Sequence, residues 1–191
     1  VRTNLNYSIS RLFKSPATTF APASEEPIRA ELLSIERLEQ QAEALAAGHR
    51  VSMGLEPGLP IRPRLRENAK ILTDVYQDIA NSAKSDQPIT PAAEWLLDNF
   101  FIVEEQVREI LDDMPVGFYR RLPKLTDGLL AEYPRVFAIA WDIVAHTDSG
   151  FDVERLTRYM IAYQRVQPLT IGELWASAIT LRLVLVENLR R

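Results

Sequence analysis

Glu94 and Asp98 stand four residues apart in a stretch patterned for a helix, so they share one face. Two carboxylates facing a cleft are the acid/base pair of a glycoside hydrolase. The simpler reading is structural. Glu94 lies near a helix N-terminus, where the dipole favours a carboxylate, and Asp98 meets an arginine from a neighbouring element. A second grouping is Arg120, Arg121 and Lys124 beside Phe118 and Tyr119. Cations next to aromatic rings suit a sugar or a nucleotide. Tyr119, Arg120, Arg121 and Lys124 are therefore the candidate binding residues. A third is Arg62, Arg64, Arg66 and Lys70. These fit phosphate or a membrane surface, although cations on an acidic chain more simply pair internally. His49 and His146 lie far apart in the chain and offer little to a metal. His146 is expected to donate to a backbone carbonyl at its helix end.

Several chemistries have no residues to perform them. There is no cysteine, hence no disulfide, no thiolate nucleophile and no cysteine zinc site. The glycines form no phosphate-binding loop. Asp-x-Asp, Gly-x-Ser-x-Gly and His-Glu-x-x-His are absent. No metal and no cofactor are expected. The net charge of −4 and a pI near 5.3 argue against a nucleic-acid partner. No apolar run approaches the ~20 residues of a membrane helix.

The elements that would position these groups read as helices throughout. Residues 1–24 are rich in Ser, Thr, Pro and Ala without a sustained period, which is the pattern of a disordered leader. Residues 25–50 read as an outrigger helix capped by Ser24, with Ile28, Leu32, Ile35, Leu38, Ala42 and Leu45 as a narrow stripe. Residues 51–64, with Gly54, Pro57, Gly58, Pro60 and Pro63, read as a linker and a domain boundary. Residues 65–191 form the helical core, and the cut-looking ends suggest that it continues past Arg191.

Within that core the spacing predicts a helix from Leu65 to about Ala83 and one from Pro91, capped by Thr90, to about Asp112. The second is apolar over most of its middle and is expected at the centre. A helix follows Tyr133-Pro134, another follows Asp152, and Thr170-Ile171-Gly172-Glu173 is a capping box opening the last. Trp95, Trp141 and Trp175 sit among apolar neighbours and are expected to be structural, with Trp95 largely buried. The last helix carries two stripes on nearly opposite sides. Leu183 and Val186 belong to the second, which is expected to dock on the first helix or on another copy of the chain, so that self-association follows if no cover is found. The fold class is all-α, a bundle-like assembly of six to seven helices.

Several segments together resemble a known family. They are Leu59-Pro60-Ile61-Arg62-Pro63-Arg64-Leu65, Thr90 to Phe100, Leu122-Pro123-Lys124-Leu125, Tyr133-Pro134-Arg135-Val136, Leu169 to Trp175, Arg182-Leu183 and Glu187 to Arg191. They look like the N-terminal cytoplasmic region of bacterial cyclic β-1,2-glucan synthases, over roughly Glu25 to Arg191. The resemblance implies a piece of a long inner-membrane glycosyltransferase that uses UDP-glucose and keeps its growing glucan attached to the protein. It implies that the remainder of the parent chain is the partner and that the cytoplasmic face of the membrane is the location. The family's Asp-x-Asp and Gln-x-x-Arg-Trp motifs are missing here, so the resemblance assigns no catalytic residue to this chain. What it implies for this stretch is a helical, non-catalytic segment. A glucan- or nucleotide-sugar-binding module and an unrelated interaction domain are the alternatives.

Overall fold

The computed structural model describes residues 25–54, 58, 61–85, 87–114, 117–150 and 152–191. The leader and much of the Pro/Gly-rich stretch lie outside the described residues. Six α-helices account for most of the rest: α1 Ile35–Gly48, α2 Ile61–Lys84, α3 Pro91–Asp113, α4 Arg135–Thr147, α5 Val153–Val166 and α6 Ile171–Arg190. A 3-10 turn, Tyr119–Arg121, follows α3. Two short strands, β1 Val51–Ser52 and β2 Lys124–Leu125, pair antiparallel, with Val51 opposite Leu125. The fold is all-α.

The caps follow local chemistry. The side-chain oxygens of Thr90, Asp152 and Thr170 accept from the N–H groups of Ala93, Arg155 and Glu173, which have no partner within their own helices. At Thr170 the box is complete, because Glu173 reaches back to the Thr170 N–H at 2.8 Å.

The centre is not α3. α4 is buried almost all round, from Arg135 to Ala140 and again from Ile143 to Ala145. It packs on α6, and α6 also touches α2 and α3. α1 lies on α5 and reaches α4. The helices therefore run from an α1/α5 pair through α4 and α6 to an α2/α3 hairpin. α3 buries Leu96, Phe100, Val103, Val107 and Ile110, but Trp95, Phe101 and Ile102 stay exposed. A residue count finds apolar side chains and cannot say which of them have a neighbour. α4 is short and built partly of alanines, which let neighbouring backbones approach closely.

The first helix also differs from its expected span. It begins at Ile35, capped by Ser34 and not by Ser24. Glu25 to Ser34 runs without helical structure as a strap. The reason is a competition for N–H groups. The last carbonyls of α4 have no helical donors. Ala30 N–H donates to Ala145 O at 2.9 Å and Leu33 N–H to His146 O at 3.2 Å. In return, His146 Nδ1 donates to Glu31 O at 2.7 Å, so its carbonyl partner belongs to the strap and not to its own helix end. Ile28 is buried under the strap, and its N–H donates to Asn188 Oδ1.

The stretch expected as a linker is tied in at both ends. β1 pairs with β2, and α2 starts at Ile61 with Pro63 in its first turn, where a missing N–H costs little. Gly58 has φ of +58°, and a Cβ there would lie 2.6 Å from Lys124 Cε. The left-handed backbone favours glycine there, and a side chain would also press on the Glu132 carbonyl, 3.0 Å from that Cβ.

Candidate functional site

Two bidentate ion pairs organise the interior. Arg135, the first residue of α4, grips Glu173 with Nε at 2.8 Å from Oε1 and Nη2 at 2.7 Å from Oε2. Both side chains are buried. The same guanidinium donates to Gln167 Oε1 and Pro168 O. Glu173 thus serves a capping box and an ion pair at once. The second pair joins α2 to α6. Arg64 Nε and Nη2 lie 3.0 and 2.7 Å from the carboxylate of Glu187, which also accepts from Asn68 at 2.6 Å. Arg190 and Arg191 close on the same carboxylate. Burial pushes Glu187 upward, but the hydrogen bonds from Arg64 and Asn68, with the charges of Arg64 and Arg191, outweigh it and hold the carboxyl down at about 2.

At the α1/α5 pair, Asp142 accepts from Tyr159 Oη at 2.6 Å and from Gln41 Nε2 at 2.8 Å. His49 Nδ1 lies 2.7 Å from Tyr163 Oη. Burial, reinforced by the nearby Arg135 charge, lowers that imidazole to about 4, so it is neutral at pH 7.

The four candidate binding residues divide. The 3-10 turn sets Tyr119, Arg120 and Arg121 side by side. Tyr119 Oη pairs with Thr180 Oγ1 of α6 at 2.8 Å, and burial raises the phenol to about 12. The Lys124 ammonium turns inward. It is buried and donates to the carbonyls of Arg120 (2.9 Å) and Leu122 (3.3 Å). Tyr119 and Lys124 therefore brace the turn, while Arg120 and Arg121 face solvent. Of the α2 cations, Arg64 pairs internally and Arg62 donates to the carbonyls of Leu111 and Met114. Glu94 and Asp98 share the exposed side of α3. Among the described residues there is no group of three or more metal-type ligands, and no helix is long and apolar enough to cross a membrane.

The tryptophans divide as well. Trp141 is half-buried against the core, with the Arg191 guanidinium 5.0 Å over its ring. Trp95 is 51% exposed and Trp175 78% exposed, which corrects the expectation that they are core residues. Leu96 beside Trp95 and Ala176 beside Trp175 pack inward and leave these rings outside. Trp175 shares its surface with Ile171 and Leu174, on the end of α6 that packs on Leu122, next to the 3-10 turn. Trp175→Ala should change stability by no more than about 0.5 kcal/mol. A thermal melt showing the ~3–5 kcal/mol loss of a buried Trp would contradict this placement.

Leu183 and Val186 are covered within the chain, at 2% and 6% exposure. Leu183 meets Ile61, Tyr133, Phe137 and Trp141 around a gap of only about 10 Å3. The first helix lies elsewhere, on α5, and the more exposed stripe of α6 is the one holding Leu174 and Leu189. The docking role expected of Leu183 and Val186 is thereby withdrawn, along with the self-association argued from it.

No protein-family model matches the sequence. Over 168 residues it is 43% identical to the cyclic beta-(1,2)-glucan synthase NdvB of Rhizobium meliloti (strain 1021), a match that covers 87% of this chain. The chain is related to a segment of that synthase. It spans about 6% of the relative's length. The resemblance read from short segments thus extends over most of the chain. Arg64, Arg135, Glu173 and Glu187, which make the two buried pairs, all lie within those segments. Sequence reasoning found Glu173 only as a cap and missed the pairing. The available signal was an arginine directly after Tyr133-Pro134 and a glutamate amid apolar α6 residues, each a charge where the pattern buries side chains.

Proposed function

We propose that the chain is a helical, non-catalytic segment of a membrane-bound cyclic β-1,2-glucan synthase. It sits on the cytoplasmic face of the inner membrane and docks on the remainder of its parent chain. The observation that carries this reading is the 43% identity over 87% of the chain to a protein of which it spans only 6%. The use of its ionisable groups supports it. Glu173 and Glu187, the carboxylates best shielded from water among the described residues, are held by arginines, and Glu94 and Asp98 face solvent. A general acid or nucleophile needs a carboxyl that reaches substrate. The purified segment, incubated with labelled UDP-glucose and a divalent metal, should incorporate no label above a heat-killed control. Incorporation would overturn the non-catalytic reading.

The exposed ring of Trp175, on the end of α6 that packs beside the turn carrying Arg120 and Arg121, favours one second reading, a glucan- or nucleotide-sugar-binding surface. Calorimetry with β-1,2-glucan oligosaccharides separates the two. Saturable heat that disappears in Trp175→Ala would establish a binding module, and its absence favours the scaffold.

A further inference from the structure

The α2/α3 hairpin carries an open groove of about 400 Å3 with an apolar floor. Ala69 and Thr73 line it from α2; Phe100, Val103, Val107 and Leu111 line it from α3. Glu104, Arg108 and Asp112 form its rim. Phe101, on the same helix face as Arg108 and Asp112, is 64% exposed. α6 already packs on both α2 and α3, and the trough is the part of their seam that it leaves open. The second half of α3 is acidic: it holds Glu104, Glu105, Glu109, Asp112 and Asp113, and Arg108 is the only basic residue of the helix.

We propose that this groove is the docking site of the chain's own residues 5–14. Residues 1–24 hold no sustained period, but over one short stretch Leu5, Ile9, Leu12 and Phe13 recur at steps of three and four, so a helix there would present one apolar stripe. Arg2, Arg11 and Lys14 are the charged residues of 1–24, with no acid before Glu25. The segment is thus cationic where α3 is anionic, and like charge does not oppose its approach. So short a stripe is marginal as an isolated helix in water. It gains its order from an apolar surface, and the groove supplies one. The reach is sufficient. Glu25 pairs with Arg190, Arg190 and Asn68 share Glu187, and Asn68 is the neighbour of Ala69 at the groove. Residues 15–24 span up to roughly 33 Å when extended. The docked segment covers Phe101 and the floor, and its cations are drawn to the α3 carboxylates at short range.

The absence of cysteine makes a clean test. A nitroxide on Ser10→Cys of the full chain sits off the apolar stripe. The methyl signals of Val103, Val107 and Leu111 should then be lost until the label is reduced, while those of Leu156 on α5 persist. Adding Phe13→Asp should restore the groove signals. In a mixed sample, with the label on one chain and the isotopes on another, they should remain. Loss in the mixed sample would mean that a second copy supplies the segment, and the in-chain proposal falls. Groove signals unchanged in every sample also overturn it. So does immobilisation of the label on phosphatidylglycerol vesicles with the groove signals unaffected, since a lipid surface would then be the segment's target.

Discussion

Replacing Glu187 by alanine should destabilise the protein by about 3–5 kcal/mol, the usual cost of removing one partner from a buried ion pair. The carboxylate is the one acceptor on which Arg64, Asn68, Arg190 and Arg191 converge. Without it, three guanidinium groups would be left close together and largely out of water, with the exposed carboxylates of Glu25 and Glu67 as poor substitutes. The loss is a large share of a total stability of ~5–15 kcal/mol. It should lower Tm by roughly 6–20 °C. Urea unfolding of Glu187→Ala beside the parent measures it, and a midpoint shift below that range would show that water reaches and solvates the cluster. The sign of the pH dependence follows from the same group. Its carboxyl is held near 2 in the fold against 4.5 unperturbed, so its contribution is whole above about pH 4.5 and is lost as pH falls toward 2. Glu187→Ala should accordingly flatten the acid limb of the stability curve.

Arg135→Met should cost a similar amount, about 3–5 kcal/mol, because Glu173 is then buried with no counter-charge. The informative variant is the double one. Glu173→Gln keeps the capping box, since glutamine also reaches back to the cap N–H, and it removes the charge that Arg135 faces. Arg135→Met/Glu173→Gln leaves no charge at this pair, and it should recover most of the loss. What remains is about 1–2 kcal/mol for the hydrogen bonds Arg135 made to Gln167 and Pro168. A double-mutant cycle by chemical denaturation reads the coupling. Additive losses would mean that Glu173 stabilises chiefly as a cap.

These pairs mark the limit of what the sequence discloses. Thr90, Asp152 and Thr170 were legible because a cap and its N–H are three residues apart. Arg64 and Glu187 are 123 residues apart, and only the fold makes them neighbours. The periodicity from Ile28 onward was genuine, yet Ala30 and Leu33 give their N–H groups to α4, so a long-range claim overrode a local one. Trp95 and Trp175 misled for a related reason. Apolar neighbours along a helix identify the helix, and the ring's cover comes from other helices. Among the candidate binding residues, Tyr119, Arg120 and Arg121 are consecutive and share one 3-10 turn. Spacing could not foresee that the Lys124 ammonium would turn to the carbonyls of the same turn.

The strap also determines how force would travel through a longer chain. Its first residues, Glu25 and Glu26, contact Arg190 and Arg191 at the far end of α6, 165 positions on. The polypeptide comes in and leaves at one corner, after a path through six helices that returns to its start. Tension applied at Glu25 and Arg191 would load the strap and the end of α6 first.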